Sequence, residues 1–149
     1  MIKRIKKNYP KYKFFITGDA LYAVEPIIEI CEKNKWNYIF NLKPDRLKEI
    51  NSTFEGNILY FNEVKHQNYY LSTKINYRNY ILSAFKYIES KNKKTTFFRY
   101  ISNMDINDNS IKEIVSLGRK RWKIDNVGFY NQKHRTFNIS HLNSRNDNA

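Results

Sequence analysis

The sequence predicts an α/β fold, and three patterns carry that prediction. Residues 13–43 have the spacing of strand, helix, strand. Residues 58–102 hold short aromatic and β-branched runs, which read as antiparallel strands. From about Ser110 an apolar stripe at helical spacing begins. A helix on a βαβ core with an antiparallel patch belongs to the α/β class. The chain has 149 residues, enough for one compact domain. Its 41% hydrophobic and 16% aromatic content argues against disorder.

The elements follow in order. Ile2 and Ile5 lie on one side of a short helix that ends before Pro10. Lys13 to Thr17 reads as a strand, broken by Gly18-Asp19. Pro26 suits the first turn of a helix. Ile27, Ile30 and Cys31 give that helix an apolar face, and Asn34 ends it. Trp36, Tyr38, Phe40 and Leu42 alternate with polar neighbours, interrupted only by Ile39 on the polar side. The two strands flanking this helix are expected to be parallel. Strands are then predicted over 58–61, 69–77, 80–89 and 95–102, with Ser90 to Asn92 turning between the last two. A long helix is predicted from about Ser110 to Lys133, with Asn109 or Ser110 as its N-cap. The tail after residue 138 is polar.

The net charge is +13, which favours a polyanionic partner, nucleic acid above all. A coding sequence rich in A and T would also enrich Lys, Asn, Ile, Tyr and Phe, so composition competes with function as the cause. Residues 1–13 carry six Lys or Arg and no acid. The single Cys31 cannot form an internal disulfide, which fits a reducing compartment. The apolar run Phe14 to Ile16 is too short for a signal-peptide core. No segment approaches the ~20 apolar residues of a membrane span, so no membrane partner is expected. His66, His134 and His141 lack zinc-ligand spacing, and four glycines form no phosphate loop. Cys31 lies on an apolar helix face and reads as core.

Three features bear on chemistry. Asp19 ends the first strand, where open α/β sheets gather ligands, and its carboxylate could hold a hard cation. A turn Asp after Gly18, or a helix cap, explains it equally simply. Asp125 falls within the helical stripe of Ile111, Val115, Gly118, Trp122 and Phe129. An inward carboxylate needs a partner, either a metal ion or Arg121 four residues earlier. Arg119, Lys120, Arg121, Lys123 and Lys133 make the helix basic. They could grip phosphate, or form an ordinary solvated face.

Two segments resemble a known family. ITGDALYAVEPIIEICEKNKWNYIFNLK (16–43) resembles the second-aspartate region of DDE-type bacterial transposases of the insertion-sequence-four superfamily. IKEIVSLGRKRWKIDNVGFYNQKH (111–134) resembles the region of their final glutamate, and a β-rich insertion commonly separates the two. The resemblance covers about residues 1–146. It implies a ribonuclease H-like fold, here incomplete: a βαβ portion (1–50), a β-rich insertion (51–102) and a helix with the final acid position (103–149). It also implies three acids holding two Mg²⁺ or Mn²⁺ ions for DNA cleavage and strand transfer.

By position, Asp19 is then the second acid and a metal ligand, and Asp125 stands at the final acid. Arg121 matches the arginine of the family's Y-R-E-K signature, and Arg119, Lys120 and Lys133 are further phosphate contacts. DNA is the implied partner, with self-association or an intact transposase as others, in the bacterial cytoplasm and nucleoid. The sequence also departs from the pattern. Asp125 replaces Glu, Gly118 holds the signature Tyr position, and Gln132 holds that of the Lys, with Lys133 one place later. The first catalytic Asp is expected upstream of residue 1, and the last helices beyond Ala149. The expectation is a fragment inactive alone, with a non-catalytic DNA-binding module or a remnant as alternatives.

Overall fold

The computed structural model describes residues 2–57, 59–61, 67–91 and 94–123. The chain forms two compact units, 1–118 and 119–149. The first is a mixed α/β structure built on one six-stranded sheet. A short helix, α1 (Ile2–Asn8), precedes strand β1 (Phe15–Gly18), helix α2 (Glu25–Lys33) and strand β2 (Asn37–Asn41). Helix α3 (Lys48–Gly56) and strand β3 (Leu59–Phe61) follow. Strands β4 (Gln67–Tyr77), β5 (Tyr80–Lys91) and β6 (Lys94–Ser102) then lead to helix α4 (Ile111–Lys123).

β1 and β2 pair in parallel, as a short helix between two strands requires. Pro26 sits in the first turn of α2, and Asn34 is its C-cap. The later strands are antiparallel, as expected, and join β1 and β2 in one sheet. They complete it in the order β1-β2-β6-β5-β4-β3, with β6 antiparallel to β2 and every later neighbour antiparallel. β1 is therefore an edge strand among the described residues. Residues 92 and 93, at the predicted β5–β6 turn, lie outside the described ones.

The sheet has a core on each face, and this corrects the reading of β2. Tyr38 and Phe40 pack with Ile28 and Cys31 of α2 and Ile50 and Phe54 of α3. Ile39 points the other way, toward Ile111, Ile114 and Val115 of α4. A strand covered on both faces is apolar throughout, so Ile39 fits the pattern of a doubly buried strand rather than breaking an alternation. Ile28, not singled out in sequence, is the most buried isoleucine of α2, while Ile27 and Ile30 are half-buried at the margin.

Helix α3 has no clear signal in the sequence. Its N-cap position is Leu47, in the left-handed region at φ 45°, with no side-chain cap. A capless start on an apolar residue is the reverse of the usual signature, so packing of Ile50 and Phe54 must carry this helix. α4 starts directly after Ser110, as predicted, and Ser110 is paired with Asn107. The Asn107 side chain accepts the N–H groups of Asn109 and Ser110, both at about 3 Å, and Ser110 Oγ accepts the Asn107 N–H at 3.0 Å. Asn107 and Ser110 thus cap reciprocally, three residues apart. Gly118 lets α4 approach the sheet closely: a Cβ there would lie 2.9 Å from Tyr100 Cε1 and 3.2 Å from Ile39 Cγ2. Close helix–sheet packing is the physical reason for glycine at this place. The predicted extension of α4 from residue 124 to Lys133 lies outside the described residues.

Candidate active site

The parallel pair β1–β2 sends both strand ends to one side, and a cleft of about 460 Å³ opens there. Asp19 follows β1 directly and lines it. Gly18 shapes the exit from the strand. A Cβ at Gly18 would fall 2.8 Å from Tyr22 Cβ and 2.9 Å from Phe40 Cδ1, too close to be accommodated without movement. Strand-Gly-Asp is thus a packing constraint followed by a half-buried acid. Asp19 Oδ1 accepts the Leu21 N–H at 3.0 Å, and the Asp19 carbonyl accepts the Tyr22 N–H at 3.0 Å. This turn fixes the carboxylate, so the turn reading of Asp19 holds whatever else the group does.

The rest of the cleft comes from residues that sequence reasoning passed over. Lys43 and Arg46 leave the carboxyl end of β2 as Asp19 leaves that of β1, and Asn41 and Asp45 join them. The rule that put Asp19 at a strand end applies equally to β2 and would have found them. Arg99 arrives from β6 and has no local signal at all. It is mostly buried, with its Nη1 donating to Asn51 Oδ1 at 2.6 Å and its Nη2 3.2 Å from Glu55 Oε1. Its guanidinium also lies 5.5 Å from the centre of the Phe54 ring. Asn51 in turn donates to the carbonyls of Lys43 (3.0 Å) and Arg46 (2.6 Å). One buried amide therefore ties the β2–α3 loop to α3 and to Arg99, and holds the cleft wall in place. Phe97, at the rim, is 64% exposed, with Lys86 Nζ 5.9 Å from its ring centre.

The remaining predicted site residues are placed less fully. Arg119, Lys120 and Arg121 follow Gly118 on α4, the first and last half-buried and Lys120 exposed. Asp125 and Lys133 lie outside the described residues. The expected approach of Asp125 to Asp19 and the choice between metal and Arg121 as its partner stay expectations. Cys31 is fully buried, and burial pushes its thiol up to about 11, which suits core and not nucleophile.

A divalent cation needs several oxygen ligands. Asp19 fits as one: a fixed, half-buried carboxylate facing an open cleft. Among the described residues, however, no three His, Cys, Asp or Glu side chains cluster closely enough to hold a metal ion. These residues do not complete a metal site by themselves, and a full coordination sphere would need further oxygen ligands beside Asp19.

No curated protein and no solved structure matches the chain. The family profile described as "Transposase DDE domain" matches residues 1–149, the whole chain. The chain therefore belongs to the DDE transposase family.

Proposed function

We propose that this chain is the catalytic portion of an insertion-sequence-four type transposase, with an incomplete ribonuclease H-like core. The observation that carries the proposal is Asp19: a turn-locked carboxylate at a parallel strand end, in a cleft that Lys43, Arg46 and Arg99 also line. Such a site suits phosphodiester chemistry. Lys43 and Arg46 would hold phosphates beside the scissile bond, and Arg99 would add positive potential from below. Phe97 offers a ring face to an unstacked base at the rim. Asp19 is read as a ligand for Mg²⁺ or Mn²⁺, and Asp125 as the final acid. Arg121, Arg119, Lys120 and Lys133 are read as phosphate contacts.

Two metal ions need more carboxylates than the described cleft offers. The outer edge of β1, beside Asp19, is unpaired among the described residues. A strand added there would bring a third acid next to Asp19. Alone, the 149-residue chain is expected not to cleave DNA. The test is cleavage of a supercoiled plasmid carrying the element ends, with added Mg²⁺ or Mn²⁺. A protein extended by an Asp-bearing upstream strand, with Asp125→Glu, is expected to nick, and Asp19→Ala in that background to abolish nicking. Nicking by the unextended chain that Asp19→Ala removes would overturn the inactive-fragment reading. Undiminished nicking by Asp19→Ala in the extended protein would overturn the site.

A second reading is favoured by the +13 charge and by the absence of a three-acid cluster among the described residues. It is a DNA-binding module without chemistry. It predicts that the extended protein binds DNA but never cuts it.

A further inference from the structure

The cleft leaves one prominent feature of the chain unused. Residues 1–13 carry six Lys or Arg and no acid, and the first acid of the chain is Asp19. Because β1 and β2 are parallel, whatever precedes them lies at the end of the sheet opposite to whatever follows them. Lys11 and Lys13 precede β1, and Lys35 precedes β2. Asp19, Lys43 and Arg46 follow these strands. β1 alone separates the two ends by ~13 Å at ~3.3 Å per residue.

This amino end is exposed and predominantly positive. Arg4, Lys7, Lys11, Lys13 and Lys35 are all exposed. Lys6 donates to the Pro10 carbonyl at 2.8 Å, which ties α1 to the turn after it. Of the nearby acids on α2, Glu29 is taken up by Lys33 at 2.6 Å and Glu32 accepts from the Tyr38 hydroxyl at 3.3 Å. Two tyrosines stand among the cations, Tyr9 at 53% and Tyr12 at 64% exposure. They belong to an aromatic cluster. Tyr9 meets Tyr12 and Phe14 edge-on, with ring centres 6.1 and 6.3 Å apart. Phe14 meets the fully buried Trp36 at 5.2 Å, and its carbonyl accepts the Asn37 N–H at 3.1 Å. The cations are thus presented on a surface anchored in the core.

We infer that this amino end is a second DNA-contact surface, which grips the phosphate backbone of duplex DNA away from the cleft. Excess positive charge gives backbone affinity, and tyrosine hydroxyls are neutral donors to phosphate or sugar. The contacts proposed are to phosphate and sugar, which carry no sequence information, so binding is expected to be independent of sequence. The choice of DNA among polyanions rests on the proposed function.

The test is fluorescence anisotropy of the full chain with a labelled short duplex of arbitrary sequence, titrated from ~50 to ~200 mM salt. The variant is Lys11→Ala, Lys13→Ala, Lys35→Asn; Asn is chosen because Lys35 has φ 53°. The slope of log affinity against log salt is expected to fall by ~0.9 for each lost phosphate contact, so by ~2–3 in all. The cleft variant Lys43→Ala, Arg46→Ala is expected to weaken binding separately, the two fold-changes multiplying. Lys11→Arg, Lys13→Arg, which keeps the charge, is expected to bind as the unaltered chain does. A triple variant with an unchanged slope would overturn the inference. If only the cleft variant is silent, the cleft reading fails and this surface stands. Equal binding to phosphatidylserine vesicles, lost in the same triple variant, would replace DNA by a lipid surface and overturn the assignment.

Discussion

The two ends of the β1–β2 pair differ in the sign pattern of their charges. The carboxyl end mixes acids with cations: Asp19 and Asp45 face Lys43, Arg46 and Arg99 across one cleft. At the amino end exposed cations predominate, with tyrosines between them, and the acids Glu29 and Glu32 are engaged by Lys33 and Tyr38. A mixed site offers groups for both a cation and a phosphate, whereas a predominantly cationic one favours phosphate. The ends also differ in what holds them. The amino end hangs on one large apolar anchor, Trp36 through Phe14. The carboxyl end is set by a glycine contact and a buried amide. The difference implies that substitutions should damage the ends in different ways.

The largest expected effect is at the amino end. Trp36 is fully buried, so Trp36→Ala should cost ~3–5 kcal/mol through lost burial and the cavity left behind. Chemical denaturation would measure it. Its indole N–H is buried without a hydrogen-bond partner among the described residues, so Trp36→Phe removes an unsatisfied donor along with some volume. Trp36→Phe is therefore expected to cost clearly less than Trp36→Ala. Equal losses would show that the ring does not anchor this end.

Next comes the carboxyl end. Gly18→Val would drive a side chain into Tyr22 and Phe40 and should cost ~1–3 kcal/mol by overpacking. Asp19→Asn, one residue later, should leave the melting temperature nearly unchanged, since the amide oxygen can still accept the Leu21 N–H. A melt in which the two variants are equally damaged would contradict the division between the packing glycine and the cleft acid.

A subtler break is Asn51→Ala. It removes both carbonyl contacts of the Lys43–Arg46 loop and one partner of Arg99. Leaving buried polar groups unpaired costs ~1–3 kcal/mol. Hydrogen exchange should show the loop 43–47 opening more often, and DNA affinity should fall although no cation has been removed. Unchanged exchange there would mean that the loop is held by something other than this amide.

These residues also mark what could be read in the sequence. The βαβ unit was legible because β1, α2 and β2 are consecutive and each carries its own period. The later strands were legible from their β-branched and aromatic content, but not their union with β2 in one sheet. That union is made by β6 pairing across some sixty residues, and local patterns carry no such information. α3 was missed because its start lacks a cap and its apolar face is only Ile50 and Phe54. Asp19 was legible as a strand-end acid. Arg99 was not, because it reaches the cleft only through sheet order, and its partner Asn51 sits on the helix that went unseen.

The smallest expected effect concerns Glu32, at the carboxyl end of α2, near the amino end of the sheet. Burial raises its carboxyl above the ordinary range, opposed in part by hydrogen bonds from Tyr38 and Asn103. The folded chain then binds this proton more tightly than the unfolded chain does. The contribution to stability is full below the ordinary carboxylate value of ~4.3 and falls as pH rises through the raised value. Above that it stays constant at its lower level. Glu32→Gln keeps an oxygen for the Tyr38 hydroxyl, which lies 3.3 Å from Glu32 Oε1, and removes the titration. The +13 charge will tilt every melting curve toward instability in acid, so the variant must be compared with the unaltered chain at each pH. The stability of Glu32→Gln relative to the unaltered chain should rise from about pH 4 upward, then level off. Because Glu32 is only half-buried, the change should be small, but its direction is fixed by the sign of the shift. A relative stability that stays flat with pH, or falls as pH rises, would show that Glu32 is not desolvated and that α2 ends in water on this side.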